Sequence, residues 1–205
     1  MKRPGLLLAA ILIAAGCMAT EPRTVQVLMT TSFGDIEVEL YPQRAPLTAG
    51  NFLALVDGGH LDGATFYRTV SPDNDNGEPA IAVIQGGIGD ATGPFPPIAH
   101  ETTAMTGLAH RDGSLSMARA AVGTASTEFF ICVGDQPALD FGGRRNADGQ
   151  GFAVFGRVIR GMDVVRAIHD APADRPTEIE YFRNQLINEP VTITSLRRVA
   201  SRAAQ

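Results

Sequence analysis

Tryptophan is absent from the 205 residues, and cysteine occurs only twice, at Cys17 and Cys132. So little cysteine excludes a disulfide-stapled scaffold, and neither residue has the spacing of a redox or zinc site. The four histidines, at 60, 100, 110 and 169, lack i, i+4 pairing, so no metal site is expected. A basic excess is missing too. The formal charge is −5, which argues against a nucleic-acid partner, because a phosphate binder presents a basic face. No repeat period of roughly 20–50 residues is visible, which excludes solenoids and propellers.

Other function classes are present only in imitation. Gly87 and Gly89 follow a strand-like run as in a dinucleotide fingerprint, but Pro94, Pro96 and Pro97 forbid the helix that must receive the pyrophosphate. His110-Arg111-Asp112 looks like a kinase catalytic loop, yet Gly113 and Ser114 follow and no Val-Ala-Ile-Lys strand exists. Asp73, Asp75 and Glu78 suggest calcium, but Gly77 falls one position late for an EF-hand, so a solvated acidic turn is expected. No Ser–His pair has a nucleophile-elbow context, so hydrolysis has no support.

What remains is the composition of one globular domain, 44% hydrophobic and 19% charged. MKRPGLLLAAILIAAGCMATEP is kept out of that domain. Lys2 and Arg3, an apolar run from Leu6 to Ala15 and then small residues form the pattern of a bacterial export signal. The run is too short for a transmembrane helix. AAGC at 14–17 resembles a lipobox, although Ala14 is less usual than Leu at its first position. Residues 1–16 are thus expected to be removed, with Cys17 lipidated, 17–24 a tether, 25–200 the domain and 201–205 a tail. Ordinary cleavage near Ala19, releasing a soluble periplasmic protein, is the alternative. Cys132, inside FFICV, reads as a buried small hydrophobe.

Within the domain, VQVLMTTSFGDIEVELYP alternates with period two around Gly34-Asp35 and predicts a hairpin. APLTAGNFLALVDGG changes to helical spacing, with Pro46 at its start and Gly58-Gly59 at its end. Further strands are expected at FYRTV, IAVIQ, SLSMAR, EFFICV, FAVFGRVI and VTITSLRRV, and a second helix at GMDVVRAIH. RPTEIEYFRNQLINEP carries a capping-box pattern, Thr177 and Glu180, and predicts a helical turn with Ile179, Phe182 and Leu186 as its apolar side. Many short strands with two or three helices point to an antiparallel barrel or sandwich.

Eight pieces then resemble the cyclophilins, which are peptidyl-prolyl cis-trans isomerases: SFGDIEVELYP, APLTAGNFLAL, FYR, VIQGG, SLSMAR, TEFFIC, LD and FAVFGRVIRGMDVV, in that order. The resemblance runs from about residue 25 to 197. It implies a mainly β fold, a closed eight-stranded antiparallel barrel capped by two helices, with no cofactor. It also implies Arg68 as the catalytic arginine and Gln85 as the glutamine that orients it. Val83, Phe130 and Leu139 would form the proline pocket, and Ala118 and Arg119 would pair with the peptide before the proline. Glu128, where Gln is common, and Phe152, where His is common, complete the expected groove. Tyr67 replaces a usual His. Ala82 stands in place of a pocket Phe, and Ala138 in place of the Trp associated with cyclosporin binding, so weak cyclosporin sensitivity is expected. Alternation puts Phe129 and Phe130 on opposite faces, so only one should line the groove.

The expected partners are proline-containing polypeptides met by a monomer, with membrane contact only through a lipid anchor at Cys17. The expected location is the periplasm. A proline-peptide-binding module or holdase of negligible isomerase rate, and a structural envelope lipoprotein, are the alternatives.

Overall fold

The alternating pattern near the N-terminus folds as the first hairpin of a computed structural model that describes residues 24–89 and 95–199. The export signal, the lipobox with Cys17, residues 17–23 of the tether and the tail lie outside the described residues. Strands β1 (Val25–Thr31) and β2 (Gly34–Leu40) pair antiparallel from Val25↔Leu40 to Thr31↔Gly34. Val27, Met29, Ile36, Val38 and Leu40 all point inward and are fully buried, as period-two spacing requires.

Six more strands close the sheet: β3 (Thr65–Val70), β4 (Val83–Gly87), β5 (Ser114–Met117), β6 (Phe129–Cys132), β7 (Ala153–Arg160) and β8 (Leu186–Arg198). Their order around the barrel is β1-β2-β7-β5-β6-β4-β3-β8, so no strand edge is left open. Phe52, Phe66, Phe129 and Phe155 fill the interior, with Phe129 edge-on to both Phe52 and Phe66. Helix α1 (Pro46–Asp57) begins with the proline where no N–H is needed, and buries Phe52, Leu55 and Val56 against β7 and β8. A one-turn helix, α2 (Thr103–Thr106), is capped by the Thr102 hydroxyl; so short a helix leaves no periodic trace in sequence. Helix α3 (Met162–His169) packs Val165 and Ile168 beside β2, β3 and β4.

Strand β3 holds the feature that places the site. Its ladder with β4 runs Phe66↔Gly86, then Arg68↔Gln85, Thr69↔Ile84 and Val70↔Val83, so Tyr67 is an extra, bulged residue. Strict alternation would put Arg68 on the same face as Phe66, inside the barrel. The bulge reverses the phase, and Arg68 comes out beside Gln85 on the outer face. Gly86 permits the close approach, because a Cβ there would stand 2.8 Å from the Phe66 ring.

Two local expectations need correction. The strand expected at IAVIQ starts only at Val83, because Ile81 and Ala82 still belong to the incoming connection. The segment at 175–190 forms no capping box. Thr177 accepts the N–H of Ile179, two residues on, and only a single 3-10 turn follows at Glu180–Phe182. Ile179 is exposed, and Leu186 already pairs with Arg68 in the β3–β8 ladder, so the apolar residues serve no common helix face.

Candidate active site

Outside the barrel wall lies a second apolar cluster, separate from the core. Val70, Ile81, Val83, Phe130, Cys132 and Leu139 form it, with Ala118 and Phe152 packed against it. Phe129 faces inward and Phe130 outward, as alternation requires, and Phe152 meets Phe130 edge-on at 5.3 Å. This cluster floors a cavity of about 280 Å³, which suits a single ring better than a whole drug-sized ligand. Arg68, Val83, Gln85, Ala118, Arg119, Phe130, Leu139 and Phe152 all line it. The sequence had scattered them over more than eighty positions. Glu128 instead lines an adjoining cavity of about 510 Å³, which shares Gln85, Ala118, Arg119, Ala120 and Phe182 with the first. Ala138 lines neither cavity.

Arg68 is 7% exposed, and what holds it is neutral. Gln185 Oε1 accepts from Nε at 2.9 Å and from Nη2 at 2.6 Å, while Gln85 Oε1 accepts from Nη1 at 2.7 Å. The rings of Phe182 and Tyr181 lie 4.9 and 5.2 Å from the guanidinium carbon. Burial pulls Arg68 below its ordinary value, yet an arginine so far above neutrality stays charged. Desolvating it is costly, and the three charge-assisted bonds and two π faces offset that cost without cancelling the charge.

Each holder is itself held. Gln85 Nε2 donates to Tyr67 Oη at 2.7 Å, and Tyr67 donates to Glu128 Oε2 at 2.7 Å. Burial, then the Glu128 carboxylate, pushes the Tyr67 phenol up, so it remains a donor. Gly87 leaves the space in which that carboxylate sits. At the other end, Gln185 is fully buried and donates to Asn74 O at 2.8 Å. The Arg119 side chain is bonded to Asp148, at 2.8 and 2.9 Å, and to Gly151 O, and its guanidinium lies 5.2 Å over the ring of Phe152.

Ile81 supplies a wall on the side where Ala82 is too small. Asp75 fixes it: Oδ2 accepts the Ile81 N–H at 2.9 Å, Oδ1 accepts that of Gly77 at 3.0 Å, and Arg145 grips both oxygens at 2.7 and 2.8 Å. The 71–80 excursion, expected as a solvated acidic turn, is thus organised around a buried ion pair. Among the described residues no group of three or more His, Cys, Asp or Glu side chains could hold a metal ion.

Behind Phe130 stands a hydrogen-bonded chain that no motif announces. His110 Nδ1–H donates to Asp140 Oδ1 at 2.7 Å, because a carboxylate only accepts, and Nε2 faces Ser116 Oγ at 3.0 Å. Its connectivity is that of a hydrolase triad, but Ser116 and His110 are 0% and 1% exposed, so no acyl carbon can reach the hydroxyl. The imidazole stacks on Phe130 at 5.9 Å and braces the pocket floor. Burial pulls His110 below its ordinary value, and the bond to Asp140 restores only part. The unfolded chain therefore takes up this proton more readily, so stability should be level above about pH 6.5 and fall below it, by up to ~1.4 kcal/mol per pH unit. Asp140, which burial pushes up but its bonds to His110 pull further down, adds a loss only at more acid pH. Urea midpoints at neutral and mildly acid pH measure this. His110→Gln should flatten the profile, and a wild-type midpoint that does not move would remove the effect.

Ile81, Arg145, Tyr181, Phe182 and Gln185 are additions that the motifs did not reveal. The Tyr-Phe pair in a polar stretch was the one available signal, and a helical pattern claimed it.

The chain's similarities agree with this geometry. Residues 26–198 match the family model described as cyclophilin type peptidyl-prolyl cis-trans isomerase/CLD. A peptidyl-prolyl cis-trans isomerase of Acinetobacter baylyi is 35% identical, over 96% of this chain and 95% of the relative. The peptidyl-prolyl cis-trans isomerase A of Dickeya dadantii is also 35% identical, over 93% and 96%. A Cryptosporidium parvum cyclophilin-type isomerase shares the fold, with a TM-score of 0.66 at 22% identity over 87% of this chain and 99% of its own, and has also been crystallised in the presence of the dipeptide Ala-Pro. With the family model spanning the barrel from β1 to β8, the chain belongs to the cyclophilin-type peptidyl-prolyl cis-trans isomerases.

Proposed function

We propose that this isomerase is exported and accelerates X–Pro isomerisation in proteins folding in the cell envelope, with Arg68 as its electrostatic catalyst. The observation that carries the catalytic role is a buried cation whose charge no carboxylate neutralises among the described residues. Rotation about a peptide bond faces a barrier of roughly 18–20 kcal/mol, because the C–N bond is partly double. Unaided X–Pro exchange takes about 10–100 s. No nucleophile is needed. As the bond twists, resonance is lost and the proline nitrogen gains a lone pair, so a fixed donor that bonds the twisted amide better than the planar one lowers the barrier.

Gln185 and Gln85 engage one N–H on each of the three guanidinium nitrogens, which leaves one N–H on each terminal nitrogen for the substrate. The proline ring fits over Val83, Phe130, Leu139 and Ile81, which exclude water and strengthen that donation. Ala-Pro beside the Cryptosporidium relative supports the same ligand chemistry here. Glu128 meets no Lys or Arg among the described residues, so its cavity favours peptides with a cationic residue near the proline. The basic start, apolar run and AAGC motif support export and lipid anchoring at Cys17.

Exchange NMR on X–Pro peptides, one carrying Lys and one Glu ahead of the proline, tests the reading. Faster exchange, with the Lys peptide preferred, is expected. Peptide binding without faster exchange would leave only a holdase. The mass of the N-terminus of protein purified from cells tests the rest, since an unmodified start at Thr20 would exclude lipidation.

A further inference from the structure

Tyr181 faces Arg68 with its ring and hydroxyl oxygen, but its hydroxyl proton is used by nothing among the described residues. Tyr181 lies in the 3-10 turn at Glu180–Phe182, lines the cavity, and is 46% exposed. Its oxygen accepts from Arg145 Nη2 at 2.9 Å. Arg145 is no floppy surface cation. Its side chain is 4% exposed, it grips Asp75 with two bonds, and it also donates to Pro79 O at 2.9 Å. The Tyr181 oxygen is thereby fixed in place, and its own proton has no acceptor among the described residues. A hydroxyl that accepts from a cation is also a stronger donor, because the two bonds polarise each other.

We propose that the Tyr181 hydroxyl donates a hydrogen bond to the carbonyl of the substrate proline itself. This rests on the reading of the cavity as the proline pocket. The choice of acceptor follows from the inventory of what would sit there. A proline residue inside an X–Pro bond has no N–H, and the carbonyl of X belongs to the amide being twisted against Arg68. The only remaining acceptor is the proline's own carbonyl. Tyr181 lines this cavity alone, whereas Phe182 lines both cavities, so the hydroxyl addresses the proline residue and not the chain on the Glu128 side. A fixed bond there would hold one side of the rotating bond still while the acyl side turns. Tyr181 is then a substrate-binding residue, supplied by a segment far from the motifs.

Tyr181→Phe removes the hydroxyl and keeps the ring over Arg68, so it isolates the bond. Two ligands are compared by NMR titration: an N-acetyl-Ala-Ala-Pro methylamide, and N-acetyl-Ala-Ala-pyrrolidide, which keeps the ring but lacks its carbonyl. For the methylamide the variant should bind about 2- to 12-fold more weakly than wild type, the range of one neutral hydrogen bond. For the pyrrolidide the two proteins should bind alike. Equal methylamide affinity in both proteins overturns the proposal. So does an equal loss for both ligands, which would mean a distorted groove. If wild type binds neither ligand, it is the pocket assignment that fails, and the Tyr181 proposal falls with it.

Discussion

Arg68→Ala should lower kcat about 100- to 1,000-fold, the usual cost of deleting one preorganised donor at a site of developing charge. The barrel should survive, because Arg68 sits outside the core cluster that holds the strands together. Its deletion does strand two amide oxygens, those of Gln185 and Gln85, so a modest loss of stability is expected beside the catalytic one. Arg68→Lys separates charge from geometry. A lysine keeps the cation, but a single ammonium cannot satisfy both glutamines and still present a fixed N–H to the amide. If orientation matters as much as charge, the lysine protein falls nearly as far as the alanine one. Exchange NMR on one X–Pro peptide, with urea midpoints as a folding control, reads both effects. An alanine variant within about threefold of wild-type kcat would sink the catalytic role.

The second large effect concerns stability. Asp75→Ala should cost about 3–5 kcal/mol, because it leaves the Arg145 cation buried and unpaired and frees the N–H groups of Gly77 and Ile81. For a domain of this size that lowers Tm by roughly 6–20 °C. The double variant Asp75→Ala with Arg145→Met removes both charges and should recover much of the loss, a coupling that single substitutions cannot reveal. Catalysis should not recover with it, since Ile81 has lost its tie and the pocket wall is loose. Thermal denaturation and KM are the two readings. A single variant melting within about 2 °C of wild type would show that the pair contributes no stability.

The barrel was legible because its strands state their phase openly. Ile36, Val38 and Leu40 alternate with Asp35, Glu37 and Glu39, and each took the face its pattern assigned. Arg68 and Gln85 were legible by resemblance only. Alternation alone would have turned Arg68 into the core, and nothing in FYRTV announces the extra residue at Tyr67. Gln185 was out of reach for a different reason. It lies 117 residues from Arg68, and only the pairing of β3 with β8 brings the two together. The Ser116–His110–Asp140 chain depends likewise on a loop folding under β5, with no spacing rule to reveal it. Charge in the 71–80 excursion read as solvation because a buried partner, Arg145, came from a distant loop.

The bulge at Tyr67 separates what may vary in this enzyme from what may not. The phase of β3 is set before the chain leaves the sheet, and the pair Val70↔Val83 closes the ladder on the far side. Twelve residues intervene, from Ser71 to Ala82; the bulge alone turns the guanidinium outward, and of the twelve Asn74 reaches the glutamines that hold it, by accepting from Gln185. That connection is a cassette between two fixed sockets. Provided Asn74 keeps its bond to Gln185 and Asp75 its bonds to Arg145, the rest can be rewritten to reshape the wall that Ile81 now supplies, while Arg68 stays where it is outside the barrel. A change of substrate range, whether by drift or by design, has its cheapest route there.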